Sequence, residues 1–299
     1  MLFDELEVFY DEKSKYERDQ RMVRDLLFSV SKINERFCSL GLDLPLLAAV
    51  RSEVLDGLGA IGQEVERVVH DKGIRLAWHF ARKGLSHPLF EMIARKIKLS
   101  DDCADGNSVD VIRDYFPTEV RGLFIETYLL DRSFYKPRDL IWRLTIAQKQ
   151  FPNETGFTER SLLDTELMYS DVMWDEITYE LSANYSKQEI AVIESALSGF
   201  RTEFFVNELK RRFDDLSYIS ANARDFMAKH GLGDVLADLY RLGAVGNIFR
   251  EGPRSYQVRN RWAFRGDPTL LFDKKISVNA SLIKRLSLVA PQRRSSRKS

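Results

Sequence analysis

The chain is 299 residues long, enough for one large core or two to three smaller ones, and 44% hydrophobic with 11% aromatic residues, the ordinary composition of a folded protein. Its 45 Lys and Arg balance 45 Asp and Glu, which excludes a polycation that coats nucleic acid along its whole length and leaves only local patches for such a role. Cys38 and Cys103 lie far apart, and the four histidines form no H-x-x-H spacing, so no Cys/His metal motif is present. No apolar run has the length of a membrane span and no signal peptide opens the chain, so the expectation is a reduced, cytoplasmic protein with no membrane partner.

In chain order, Leu2 and Phe3 read as a strand running into Asp4 and Glu5. Met22, Val23, Leu26, Leu27, Val30, Ile33 and Phe37 then recur at helical spacing, with Gly41 as the stop. The continuous apolar run 44–50 predicts a strand buried on both faces, and Val54 to Val68 predicts a second helix. This strand–helix alternation points to a parallel sheet. Beyond residue 87 strand signals vanish. Pro88 opens a helix, 100–108 reads as a loop, and helices are predicted at 118–131, 138–150 and 158–183. In the last third, the Ser186-x-x-Glu189 spacing predicts a capped helix start. Helices are expected at 187–198, 202–213 and 232–243, followed by short strands at 245–249, 255–258, 262–264 and 270–278. Helices followed by a small hairpin is the order of a winged helix-turn-helix. The basic tail 291–299 is expected to be disordered. The fold class expected is thus mainly α with an α/β N-terminal part.

Three features carry candidate chemistry. An apolar run ending in Asp4-Glu5 has the form of a Walker B strand, whose Asp helps hold Mg²⁺ and whose Glu polarises water; the bland reading is two solvated acids. Arg51 follows the 44–50 strand at its carboxyl end, where parallel sheets meet ligands; it either senses a phosphate or pairs with Glu53. Arg138 sits in Lys136-Pro137-Arg138-Asp139, at a helix start fixed by proline; the tetrapeptide alone favours a surface Arg beside a dipole-matched Asp139. The aromatic run Tyr169, Met173, Trp174 and Tyr179 reads as core, as do Trp78 and His87.

In this order the features resemble the second half of an AAA+/STAND-type P-loop ATPase, of the bacterial group of KAP-like NTPases. The stretches LFDELEVFYD, AAVRSEVLDGL, SHPLFEMIARKI, YKPRDLIWRL and LYRLGAVGNIF carry the resemblance across most of the chain. It implies a partial P-loop NTPase core over 1–86, a helical lid over 87–184 and a winged-helix domain over 185–290. It implies Asp4 and Glu5 as Walker B acids, with Asp4 at the metal, Arg51 at the sensor-1 strand end, Arg138 as the lid arginine, and ATP with Mg²⁺ as cofactors. The departure is that no G-x-x-x-x-G-K-[ST] occurs in the chain. The expectation is a truncated ATPase, inactive alone, partnered by the missing N-terminal segment or by another protein, with a homo-oligomer open as well. The alternative is a non-enzymatic winged-helix module. Arg254, Arg259, Arg261 and Arg265, interleaved with Tyr256, Trp262 and Phe264, form a basic wing suited to DNA. Asp234 and Asp238 on the 232–243 helix oppose insertion into DNA and favour a protein contact.

Overall fold

In the computed structural model of the chain, the residues described are 1–6, 13–50, 54–55, 63–74, 76, 78, 84–101, 106–250 and 258–290. The chain folds as two compact units, residues 1–76 and 77–299, and is mainly helical.

The first unit holds β1 (Leu2–Leu6), α1 (Lys13–Ser39), β2 (Leu47–Val50) and α2 (Gln63–Lys72). β1 and β2 pair in parallel, with Leu2 opposite Leu47 and Phe3 opposite Ala48, so α1 is the crossover that parallel strands require. The predicted stop at Gly41 is a complete Schellman motif. Gly41 takes φ +69°, its N–H donates to Cys38 O at 3.0 Å, and the Leu42 N–H donates to Phe37 O at 2.9 Å. Asn34 on α1 then brackets Leu46, donating to its carbonyl and accepting from its N–H, both at 2.8 Å. That bracket fixes the entry to β2, which begins at Leu47, later than expected. The amino terminus of Met1 donates to Pro45 O at 3.0 Å and holds Pro45 ahead of the ladder. Among the described residues of this unit, Val23, Val54 and Val65 are buried, with Leu27, Phe28 and Val69 packed against them.

The second unit opens with α3 (Pro88–Ser100), α4 (Ser108–Tyr115), a hairpin of β3 (Glu119–Val120) and β4 (Leu123–Phe124), α5 (Ile125–Asp131), α6 (Pro137–Gln150), α7 (Glu159–Asp164) and α8 (Glu166–Leu181). It continues with α9 (Lys187–Leu197), β5 (Glu203–Phe204), α10 (Val206–Ile219), α11 (Ala221–Lys229), α12 (Leu232–Arg241), β6 (Val245–Arg250), β7 (Val258–Arg261) and β8 (Lys275–Val278). The four strands β5 to β8 form one antiparallel sheet in the order β5-β8-β6-β7.

Two cores stabilise this unit. One gathers Leu89, Phe90, Ile93, Val111, Ile112, Tyr128, Leu129, Leu140 and Leu162, all from α3 to α7. The other joins Tyr169, Met173, Trp174 and Ile177 of α8 to Ile193, Phe213, Phe226, Leu236, Val245 and Ile276. The α8 residues of these cores all belong to the second, and the boundary expected at 184/185 falls inside one compact unit.

Several expected elements change. The helix predicted over 118–131 is a hairpin followed by the short α5. Arg121 and Gly122 at its tip take φ +52° and +69°, the two left-handed positions of a type I′ turn. Helix α4, expected as the end of a loop, starts where Asn107 accepts from the N–H groups of Val109 and Asp110 at 2.9 and 3.1 Å. The single helix expected over 158–183 is two, because the Ser161 and Thr165 hydroxyls bond back within the α7 turn. Helix α10 begins at Val206, since Glu203 and Phe204 pair with β8. Helix α11 had no counterpart in the periodicity. Residues 263–265, expected in a strand, form a 3-10 turn. Gly246 on β6 is fixed by close approach: a Cβ there would meet the Arg261 carbonyl and the Trp262 ring at 2.5 Å.

The capping box at Ser186 forms as expected, with the Ser186 N–H donating to Glu189 at 2.7 Å. At α3 the cap is His87, whose buried Nδ1 accepts from the Leu89 N–H at 3.2 Å. Burial lowers its pKa below the ordinary 6.5, and the Trp78 backbone opposes this. For a base with a depressed folded pKa, the unfolded chain binds the proton first. The contribution to stability is thus complete above about pH 6.5 and is lost as pH falls toward the folded value. His87→Asn keeps a capping acceptor without the titration. Its melting-temperature deficit against wild type is expected to narrow by about 2–4 °C between pH 7.5 and 5. A deficit independent of pH would show that His87 does not titrate with folding.

Candidate functional site

Of the residues expected to carry chemistry, Asp4 and Glu5 lie on β1 in the first unit, and Asp4 is exposed. Between the pairs Phe3–Ala48 and Leu6–Val50, β1 advances three residues against two on β2. The extra residue falls across Asp4 and Glu5, a bulge of the kind that re-aims side chains beside functional sites. Arg51, which follows the last residue of β2, lies outside the described residues, as do Arg254 and the tail 291–299. Among the described residues, no group of three or more His, Cys, Asp or Glu side chains gathers as a metal site. No described helix is long and apolar enough to cross a membrane.

Arg138 stands in the first turn of α6, more than half exposed, with its guanidinium 3.0 Å from Glu176 and 4.8 Å over the Trp142 ring. Its neighbour Asp139 is not a surface acid. It is buried and accepts from the Phe134 N–H at 3.0 Å, and burial pushes its carboxyl pKa up. On the basic wing, Arg261 lies 3.5 Å from Asp267. Arg265 donates to the Tyr135 hydroxyl at 3.2 Å, stacks over that ring at 5.1 Å and lies 3.8 Å from Asp131. Arg259 lies on β7, the edge strand of the four-stranded sheet. Arg265 is therefore committed to the α5–α6 turn. On α12, Asp238 accepts from the Tyr185 hydroxyl at 2.8 Å, an internal bond, and together with Asp234 it raises the tyrosine's pKa, burial acting first.

The densest charge cluster of the described residues was not foreseen. Glu166 opens α8 and is buried. Its carboxylate accepts from the Tyr128 hydroxyl at 2.8 Å and lies 3.1 Å from Arg121 at the hairpin tip, 3.5 Å from Arg132 after α5 and 4.0 Å from Lys284. Beneath it, Arg143 of α6 is only 1% exposed. Its guanidinium donates to Thr165 Oγ1 at 3.0 Å, to the Tyr128 hydroxyl at 3.3 Å and to the Leu162 carbonyl, while its Nε finds no acceptor. These side chains and Tyr169, Ser281 and Ile283 line a cavity of about 30 Å³. The sequence signal for Arg143 was its place on the buried stripe Leu140, Leu144, Ala147 of α6, where a charge demands a partner. Nothing local marks Arg121 or Lys284 as members, because they come from a turn and from beyond β8.

Residues 87–178 match a family model. Its description is FunZ-associated C-terminal helical domain. The matched segment begins at the His87 cap and ends within α8, so it contains the whole first core and Arg121, Arg132, Arg143 and Glu166, but not Lys284. No curated protein and no solved structure matches the chain.

Arg143 holds α6, α7 and the start of α8 in register. Arg143→Ala is expected to destabilise the chain by about 2–4 kcal/mol in denaturant unfolding, through the stranded Leu162 carbonyl and the emptied volume. Arg143→Met fills the space and is expected to lose less than half of that; equal losses would mean the charge, not the volume, sets the cost.

Proposed function

We propose that the chain is the post-phosphate-loop part of a P-loop ATPase, a nucleotide-dependent switch whose phosphate cradle is supplied by another segment or chain. The observation that carries this reading is the bulged acidic strand β1 paired in parallel with β2 across the α1 crossover. The bulge puts its irregularity at Asp4 and Glu5, and Arg51 follows the neighbouring strand at its carboxyl end, where open parallel sheets bind ligands. The sheet also favours a covering partner. Leu2 and Leu47 face each other across the ladder and stay 60% and 59% exposed, whereas parallel sheets are normally buried on both faces.

In this reading Asp4 would hold Mg²⁺ and Glu5 would orient the attacking water, while Arg138 is the arginine that the resemblance assigns to the lid. ATP with Mg²⁺ would supply the phosphoryl group. The matched family's description as a C-terminal helical domain agrees with a lid that follows a nucleotide-binding part.

The order β5-β8-β6 after α9, with the β6–β7 hairpin behind α12, supports reading the C-terminal part as a winged helix. Arg265 on Tyr135 and Asp131, and Asp238 on Tyr185, favour an internal or protein contact over DNA. DNA binding would appear as salt-dependent retention in a gel shift.

In a protein that joins this chain to a phosphate loop, Glu5→Gln is expected to lower kcat for ATP about a hundredfold or more with KM little changed. Arg138→Ala is expected to abolish the response to nucleotide while shifting stability by less than about 0.5 kcal/mol, since its Glu176 pair is exposed. Absence of hydrolysis in the joined wild type would remove the ATPase reading, and undiminished hydrolysis in both variants would remove the roles given to Glu5 and Arg138.

A further inference from the structure

The residues lining the Glu166 cavity include four cations, Arg121, Arg132, Arg143 and Lys284, and one carboxylate. Among the described residues no carboxylate lies within ion-pair distance of Arg143, which is 1% exposed and keeps an unpartnered Nε. A buried guanidinium without a counter-ion is expensive, so the surplus charge asks for a second anion. Glu166 does not use up the donors around it. Arg132 at 3.5 Å and Lys284 at 4.0 Å are beyond good hydrogen-bond length, and Glu166 Oε2 itself makes no hydrogen bond.

We propose that this cavity is an oxyanion site that takes a phosphate group, either inorganic phosphate or the phosphate of a small monoester. The chemistry of the lining matches a phosphate dianion. Arg121 and Arg132 offer planar guanidinium donors suited to its oxygens, Arg143 adds its charge and an unpartnered Nε–H, and Lys284 adds a point charge at the mouth. Arg121 and Lys284 are about half exposed while Arg143 and Glu166 form the floor, so the site has an open side and a buried end. A cavity of about 30 Å³ holds two or so water-sized groups, enough for the oxygens on one side of a phosphate, with the rest of the anion and the body of any ester at the open side. Glu166 is an internal anion already seated among the same cations, and it sets the affinity by competing with the ligand for them. The site belongs to the second unit and uses none of Asp4, Glu5, Arg51 or Arg138, so it stands whether or not the ATPase reading does.

The test uses the full chain with inorganic phosphate, with glycerol phosphate, and with chloride at matched ionic strength, read by calorimetric titration and by melting temperature. Phosphate is expected to bind and to raise the melting temperature where chloride does not. Lys284→Met is expected to weaken binding about tenfold, because it removes one charge-assisted contact from a half-exposed position. Glu166→Gln is expected to bind phosphate more tightly than wild type, as it removes the competing negative charge. If glycerol phosphate binds as well as phosphate, the ligand is a monoester; if only phosphate binds, it is the free anion. A chain that shows no phosphate-specific effect in wild type or in Glu166→Gln, or whose phosphate affinity is unchanged by Lys284→Met, overturns the proposal.

Discussion

The second unit depends on one buried charge. Arg143 lies on a helix stripe otherwise made of Leu140, Leu144 and Ala147, and it cannot be left there without acceptors. It finds them on Leu162 and Thr165, at the end of α7 and the start of α8, and on the Tyr128 hydroxyl of α5. The same tyrosine donates to Glu166, which draws in Arg121 from the hairpin and Lys284 from beyond the last strand. One desolvated guanidinium thus ties four helices, a turn and a distant segment to a common point. The break between α7 and α8 belongs to the same arrangement, because Thr165, the acceptor for Arg143, sits between those two helices.

The two units contrast in how they are stabilised. Residues 77–299 bury two large clusters, one along the first half and one along the second. Among the described residues, the first unit rests on Val23, Val54 and Val65 and on local devices: the Schellman stop at Gly41, the Asn34 bracket on Leu46 and the amino terminus on Pro45. Its paired strands leave leucines on an open face. Such a unit gains most from a partner that covers the sheet, which is also what a nucleotide site assembled from two segments would need.

Much of the fold was legible where a signal is satisfied within one or two turns. Pro88 after a capping His87, Pro137 before α6, the Ser186–Glu189 box and Gly41 each fix an element end by backbone bonds a few residues away. The acidic strand, its parallel partner and the long helix between them were read from the same kind of pattern. The hairpin at 119–124 was missed because Val120, Leu123 and Phe124, at i, i+3 and i+4, fit a helical spacing as well as they fit two short strands. What tips the balance is the left-handed pair Arg121-Gly122, of which only the glycine is a usual signal. The late start of α10 was missed because pairing with β8 claims Glu203 and Phe204.

By itself, then, the sequence determined many of the helical segments, where several of them stop, and that an acidic strand and an arginine-ended strand frame one long helix. These depend on local hydrogen bonds and periodic burial, which neighbouring residues settle among themselves. Only the tertiary structure decided that α8 packs into the second core, that Arg265 turns inward onto Tyr135, and that Arg121, Arg132, Arg143 and Lys284 converge on Glu166. Those partners are separated by tens of residues, and each lone charge reads as a solvated side chain until the fold removes the water around it.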